Sequence, residues 1–330
     1  MKRFSCPSCR QLVYFRNTIC LNCSTQLAYD PHTGTMNALG DQVACANRTV
    51  IDCNWLAGPE GGRCESCAST RMIPDLNVPG NLYRWRRLET EKLRLYYSLH
   101  AFGLPRVTAS GMALRFYFLG DHLAPDGSVR EWVLTGHQEG AITLNIAEAD
   151  DDKREARRVA MGEPYRTLLG HLRHEVGHYY WEMLVRETGR QAECAVLFGD
   201  AAQDYAAALR RHYSEGAPPD WPQNHVSSYA TAHPWEDWAE TWAHMFHIVD
   251  GLDTAQHFEI DPCDGIAEDA YCVRDVDTLM RAWGPLAMAM NAMNRSMGHN
   301  DFYPFAIFPP VREKIGYMLR LIRDTQPSGG

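Results

Sequence analysis

The sequence contains no apolar run long enough to span a membrane, although 45% of its 330 residues are hydrophobic. Its first residues do not have the pattern of a secretory signal peptide, so we expect none, and low-complexity sequence is confined to the short tail 326–330. These absences argue against a membrane protein and against a secreted disulfide-rich protein. We therefore expect a cytoplasmic protein without a membrane partner, long enough to form one small and one larger domain.

A dense positive charge is missing as well. Residues 1–100 carry 12 Lys+Arg against 8 Asp+Glu, a balance of +4, and the remaining 230 residues carry 20 against 33, a balance of −13. The stretch Arg84-Trp85-Arg86-Arg87 places an aromatic ring among basic residues, but we favour a solvated helix face there. Nucleic acid is therefore a weakly supported partner.

One short motif, His174-Glu175-Val176-Gly177-His178, has the form HExxH. In a helix, residues four apart lie on one face, so His174 and His178 can bind one zinc ion. Glu175 then lies beside the open position of the metal, where a general base for a water molecule belongs. Because so short a pattern also arises by chance, it needs a helical context.

The surrounding residues supply that context. Pro164 suits a first helical turn, and Gly189 suits a helix end. Apolar side chains repeat every three or four residues between them, at Leu168, Leu172, Val176, Tyr179 and Met183. A second stripe, displaced by about a third of a turn, contains His171, His174, His178 and Glu182. The pattern predicts one long helix with an apolar face and an imidazole face.

A catalytic zinc ion needs a third protein ligand, and two common spacings fail to supply it. The extended pattern HExxHxxGxxH is broken by Trp181 and Leu184. A glutamate about twenty residues beyond the second histidine, the short gluzincin spacing, is replaced by Leu197 and Phe198. The third ligand must therefore come from further along the chain.

Two glutamates downstream meet this need. Pro234 is a plausible helix start, after which Glu236 and Glu240 lie one turn apart on the same face. One carboxylate can bind zinc while the other accepts the N–H of a zinc-bound histidine. We assign Glu236 as the ligand and Glu240 as the acceptor. The alternative is a solvated acidic first turn, which is the interpretation we adopt for Asp237.

The N-terminal region is rich in cysteine. Eight cysteines precede residue 68: Cys6, Cys9, Cys20, Cys23, Cys45, Cys53, Cys64 and Cys67. The first four have the spacing C-x2-C-x10-C-x2-C, which is typical of a zinc ribbon. Eight thiols with three CxxC pairs predict two structural zinc sites of four thiolates each. Grouping in chain order is the simplest arrangement, and an interleaved one stays open.

These motifs together resemble two groups of peptidases. The block from Tyr229 to Glu240 looks like the second half of the active site in gluzincin peptidases of the anthrax lethal factor type. The whole chain is more similar to bacterial zinc-binding metallopeptidases with N-terminal zinc-ribbon segments. This resemblance implies zinc on His174, His178 and Glu236, Glu175 as general base, and a hydrogen bond from Tyr229 to the oxyanion.

The rest of the chain predicts an α+β fold. We expect a tandem zinc-ribbon segment over 1–75 and a zincin-like metallopeptidase domain over 76–330. The latter begins with a helix over 79–102 and a small mixed sheet with strands within 112–119, 132–135 and 141–146. The last of these is our candidate for an edge strand that aligns a peptide substrate. A mostly helical C-terminal half follows, with helices over 198–213, 234–249, 273–295 and 310–324.

The expected function is zinc-dependent hydrolysis of peptide bonds in a peptide or protein substrate. Zinc is the expected cofactor, with one catalytic and two structural ions. The ribbons are expected to bind the substrate or a protein partner. Two alternatives are a protease associated with nucleic acid and a catalytically idle interaction protein.

Overall fold

The computed structural model describes residues 1–58, 62–123, 129–160, 167–260, 266 and 269–325. They fall into two compact units, one formed by residues 1–101 and 112–172 and the other by residues 102–111 and 173–330. Among the described residues, no helix combines the length and apolar character that crossing a membrane requires. Pro164, proposed above as the helix start, lies outside the described residues.

The first unit begins with two small hairpins in the cysteine-rich region. Strand β1 (Phe4–Ser5) pairs antiparallel with β2 (Leu12–Val13), and β3 (Leu27–Asp30) pairs antiparallel with β4 (Thr35–Ala38). Two short helices follow, α1 (Arg48–Ile51) and α2 (Glu65–Ser69).

An aromatic cluster forms the core beneath the hairpins. The Tyr29 ring contacts Phe15 at 5.0 Å and Trp55 at 5.3 Å between ring centroids. The Phe15 ring also contacts Tyr97 of helix α3 (Asn81–Ala101) at 5.3 Å. Helix α3 matches the helix predicted over 79–102, and it gives the small hairpins an apolar surface that they could not build alone.

A four-stranded mixed sheet completes the first unit, as predicted. Its strands are β5 (Thr70–Met72), β6 (Arg115–Leu119), β9 (Gly136–Gln138) and β10 (Ala141–Asn145), in the order β5-β6-β10-β9. Strand β6 is parallel to both β5 and β10, and β9 is antiparallel to β10. A separate hairpin joins β7 (His122–Leu123) to β8 (Val129–Glu131). The sheet leads to a 3-10 turn, Ile146–Ala149, and to helix α4 (Asp151–Ala160).

Two predictions about this sheet were wrong. The segment 132–135 is not a strand, because side chains bind its backbone: Asp121 accepts from Val133 N at 2.9 Å, and Asn145 donates to Val133 O at 3.0 Å. Strand β10 is not an edge strand, because Glu139 and Gly140, with φ of 45° and 76°, turn β9 back against it. Residues 141–143 of β10 are therefore paired on both sides and offer no free edge to a peptide.

The second unit is helical. Helix α5 (Leu168–Trp181), which belongs to this unit from Arg173 onward, continues into one π-helical turn (Glu182–Arg186). It is followed by α6 (Gln191–Phe198), α7 (Tyr205–Glu215), α8 (Trp221–Asn224), α9 (Pro234–His257), α10 (Val276–Ser296) and α11 (Pro309–Asp324), with 3-10 turns at Tyr229–Thr231 and Ala270–Cys272. The predicted apolar stripe of α5, from Leu168 to Met183, is buried throughout.

Two helix boundaries differ from the prediction. The helix expected over 198–213 is two helices, because Gly199, with φ of 92°, ends α6 and the Asp204 carboxylate caps α7 by accepting from Ala207 N. Helix α9 runs past the predicted end at 249 to His257, and Gly251 within this extension packs against Trp283. A Cβ at residue 251 would lie 2.7 Å from that indole ring.

Asp237 is buried rather than solvated, contrary to our expectation. Its Oδ2 accepts a hydrogen bond from Lys314 Nζ of α11 at 2.6 Å, and both side chains are at most 5% exposed. Lys314 also donates to the backbone oxygen of Asn224 at 2.9 Å. Burial raises the pKa of Asp237 to about 6 despite the ammonium group beside it. The carboxylate therefore depends on Lys314 for its charge in this environment.

Replacing Lys314 with methionine should lower the free energy of unfolding by about 3–5 kcal/mol, because the change leaves a buried carboxylate without its counter-ion. Denaturant unfolding followed by circular dichroism measures this loss. Arg312→Met is the control, because Arg312 lies on the same helix as Lys314. It removes an exposed ion pair with Asp277 of α10 and should lower the free energy of unfolding by less than about 1 kcal/mol. Equal effects of the two substitutions would contradict the stabilising role of Lys314.

Candidate metal centre

Helices α5 and α9 approach closely at Gly177. A Cβ at this position would lie 3.0 Å from Ala239 Cα and 3.2 Å from Trp242 Cβ, so a larger residue would separate the two backbones. Trp238 Nε1 donates a hydrogen bond to the Gly177 backbone oxygen at 2.8 Å, which fixes the two helices in register. This contact brings the acidic first turn of α9 beside the two histidines of α5.

The side chains of His174, His178 and Glu236 converge at this point. One ligand atom from each lies within 4.8 Å of the others, and all three residues are buried. Glu236 Oε2 lies 3.0 Å from His174 Nε2 and 3.6 Å from His178 Nε2. Within the described part of the chain, this buried oxygen accepts no hydrogen bond. Two imidazoles and one carboxylate form a donor set that suits a zinc ion.

Glu240 lies behind His174, where we expected the acceptor for a ligand histidine. Its Oε1 is 2.7 Å from His174 Nδ1, and its Oε2 accepts a hydrogen bond from Ser227 Oγ at 2.6 Å. With the proton on Nδ1, the His174 Nε2 lone pair faces the cluster. Burial opposes ionisation of Glu240, but the hydrogen bond from His174 outweighs it and lowers the carboxyl pKa to about 2. Burial also lowers the pKa of His174, and Glu236 and Glu240 more than reverse this effect, so a metal ion that binds Nε2 would displace a proton from it.

The two candidate catalytic residues, Glu175 and Tyr229, lie on the same elements as the cluster or next to them: Glu175 directly follows His174 on α5. Glu175 is 5% exposed on α5. The Tyr229 ring, in the 3-10 turn before α9, lies 6.0 Å from the His174 ring. Burial first, and then Glu236 and Tyr205, raise the pKa of Tyr229 far above its usual value. Its hydroxyl is therefore a neutral hydrogen-bond donor at physiological pH.

Tyr205 belongs to the same cluster, although sequence reasoning did not identify it. Its hydroxyl donates a hydrogen bond to Glu236 Oε1 at 2.6 Å. Burial, Glu236 and Glu175 all raise the pKa of Tyr205, so this hydroxyl also keeps its proton. No motif spacing links residue 205 to the histidines. The only local sequence signal is Asp204, a residue type that favours a helix N-terminus and so predicts that Tyr205 begins a helix.

The three tryptophans of α9 have different environments. Trp238 and Trp242 are fully buried and pack against Gly177. Trp235 instead lies against His178, with 4.1 Å between ring centroids, and also contacts Trp181 at 6.3 Å. Trp235 therefore forms an aromatic wall beside one of the two cluster histidines.

The eight N-terminal cysteines form two groups in chain order. Cys6, Cys9, Cys20 and Cys23 make one cluster, and Cys45, Cys53, Cys64 and Cys67 make the other. In the second group all four thiols are buried, whereas Cys23 of the first is exposed. Sulfur pairs lie 3.6–3.7 Å apart, close to the about 3.8 Å that tetrahedral zinc–thiolate bonds require. Backbone N–H groups of Cys64 and Cys67 donate to Cys45 and Cys64 sulfur, as in thiolate metal knuckles.

Comparison with known proteins identifies a family for each of the two parts of the chain. A family described as "Putative zinc-binding metallo-peptidase" matches residues 81–321, and a zinc-ribbon domain family matches residues 3–78. Similar proteins include an uncharacterized protein of Mycobacterium bovis and two of Mycobacterium tuberculosis. Each is 41% identical over 340 residues, covering 99% of this chain and 97% of the relative. No solved structure gives a significant match.

The family match covers most of the chain, and its position coincides with the residues that carry the His/His/Glu cluster. The ribbon match likewise contains both four-cysteine clusters. The chain thus belongs to this zinc-binding metallo-peptidase family and carries an N-terminal zinc-ribbon domain.

Proposed function

We propose that the protein is a zinc-dependent peptidase of the gluzincin type. His174, His178 and Glu236 would hold the catalytic zinc ion, and Glu240 would orient His174. The convergence of the two Nε2 atoms and Glu236 Oε2 within 4.8 Å carries this proposal. The family membership supports it independently.

The proposed mechanism assigns a role to each side chain. Zinc in this site would lower the pKa of a bound water to about 7 and polarise the scissile carbonyl. Glu175 accepts the proton of the attacking water and then transfers it to the leaving amine. The Tyr229 hydroxyl donates a hydrogen bond to the oxygen on which negative charge develops. Glu240 keeps the His174 proton on Nδ1 throughout.

Replacing Tyr229 with phenylalanine should reduce kcat by about 10²-fold, because one donor to the developing oxyanion is lost. The zinc content should stay at the wild-type value, since this hydroxyl binds no ligand side chain in the proposed arrangement. Steady-state kinetics and elemental analysis measure the two quantities. An unchanged kcat would remove Tyr229 from the mechanism.

The ribbon segment 1–75 is proposed as a module that binds the substrate or a protein partner, with two structural zinc ions. Nucleic acid is less favoured, because the basic stretch of α3 is already paired. Arg84, Arg86 and Arg87 contact Asp150, Asp52 and Asp151, respectively. Trp85 is buried and donates to Glu89 at 3.1 Å. We also propose a cytoplasmic location, where reducing conditions keep clustered thiols available for zinc.

A fluorogenic peptide-library assay with metal depletion tests the proposed activity. A chelator of moderate strength should abolish hydrolysis, and zinc should restore it, because the His/His/Glu site is expected to release its ion before the thiolate sites do. Two results would contradict the proposal: peptide cleavage that continues in the presence of the chelator, or zinc-loaded protein that cleaves no peptide of the library.

A further inference from the structure

Tyr205 holds the carboxylate of Glu236 from the side opposite the histidines. Its hydroxyl donates to Oε1 at 2.6 Å, whereas Oε2 is the oxygen that faces His174 and His178. The two oxygens of a single glutamate therefore have different partners. A hydrogen bond to a charged acceptor is short and strong, so it fixes the rotation of the carboxylate group.

The ring of Tyr205 also contacts the start of α9. The ring lies 5.2 Å from His233 and 6.0 Å from Trp235, the residues on either side of the first residue of α9. His233 Nδ1 caps α9 by accepting from Trp235 N at 3.0 Å, and its Nε2 lies 3.3 Å from the Gln203 oxygen just before α7. The start of α7 is thus bound to the start of α9, where Glu236 lies.

This arrangement decides how Glu236 can bind a metal. Because the Tyr205 hydroxyl engages Oε1, Oε2 is the oxygen that faces the two histidines, and Glu236 would hold a metal ion through that oxygen. Catalytic zinc sites combine three protein ligands with one open position for water or substrate. A second bond from the same carboxylate would occupy that position.

We propose that Tyr205 is a positioning residue that keeps Glu236 a one-oxygen ligand and so preserves the open position of the metal. The inference rests on the proposed zinc site, in which Tyr205 acts through Glu236 and Tyr229 acts on the substrate. The two tyrosines thus divide their roles, one toward the metal ligand and one toward the reacting carbonyl. Partners of this kind typically change metal affinity or activity by about 10–100-fold when they are removed.

The test compares Tyr205→Phe with Tyr229→Phe in the full-length, zinc-loaded protein. Competition with a chromophoric chelator measures the affinity of the most weakly held zinc ion, without any need for peptidase activity. Tyr205→Phe should weaken it by about 10–100-fold, and Tyr229→Phe should leave it unchanged. Tyr213→Phe is a matched control on the same helix, because that side chain is 64% exposed and should alter neither affinity nor kinetics.

Wild-type zinc affinity in Tyr205→Phe, or an equal loss in Tyr229→Phe, would overturn the assignment. Thermal unfolding of each variant separates a local effect from loss of the fold, since a positioning role should leave the unfolding temperature of the metal-free protein unchanged. If no variant, nor the wild type, cleaves any peptide while Tyr205→Phe still weakens zinc binding, the peptidase proposal fails and the positioning role stands.

Discussion

Replacing Glu175 with glutamine is expected to reduce peptide hydrolysis toward the upper end of the about 10²–10⁴-fold range seen for loss of a general base. The amide has nearly the same shape as the carboxylate, but it cannot accept a proton from water at neutral pH. Glu175 is not among the three converging ligands, so the zinc content should be unchanged. Steady-state kinetics together with elemental analysis measure both quantities.

A matched control is Glu187→Gln, the same chemical change just beyond the π-helical turn. That carboxylate accepts a hydrogen bond from Ser110 rather than facing the metal cluster, so turnover should remain at the wild-type rate. Undiminished hydrolysis by Glu175→Gln would rule out its role as general base. Loss of zinc in the same variant would instead indicate that Glu175 supports the ligands.

The second large effect is expected at the buried four-cysteine cluster. Replacing Cys53 with serine should release one zinc ion per chain and unfold the second ribbon, because such sites supply apparent binding energies of about 10–16 kcal/mol to small domains. Loss of this site should also disturb the neighbouring residues of the core. The backbone oxygen of Asn54 accepts a hydrogen bond from Tyr29 N at 2.7 Å, and Trp55 lies in the aromatic core. Native mass spectrometry counts the ions, and hydrogen exchange locates the unfolded segment.

Cys272→Ser is the corresponding control, since this exposed thiol belongs to neither cluster. It should leave the zinc count and the hydrogen-exchange pattern at wild-type values. A Cys53→Ser protein that retains every zinc ion and full protection of the ribbon would show that the fold does not depend on this site.

Local patterns predicted the helices that carry the candidate site. The spacing of His174 and His178, and of Glu236 and Glu240, follows from helix geometry alone, and the structure places all four side chains in one cluster. The close approach of the two helices, which brings the two pairs together, could not be predicted from these spacings. It depends on Gly177, whose small size acts only when a second helix lies against it.

Other features depended on contacts between distant residues. The segment 132–135 is rich in residues that favour strands, yet Asp121 and Asn145 bind its backbone instead. The sequence around Asp237 predicted a solvated first-turn residue, because its ion-pair partner, Lys314, is distant in the chain. Tyr205 reaches Glu236 from a separate helix, and no periodicity in either helix predicts that contact.

Gly177 also bears on attempts to make this protein more heat-resistant. A glycine inside a helix is about 1 kcal/mol less favourable than alanine, so a routine search for stabilising substitutions would select this position early. Yet the added methyl group would press on Ala239 and Trp242 and move the acidic helix away from the two imidazoles. Engineering for durability should therefore leave residue 177 untouched.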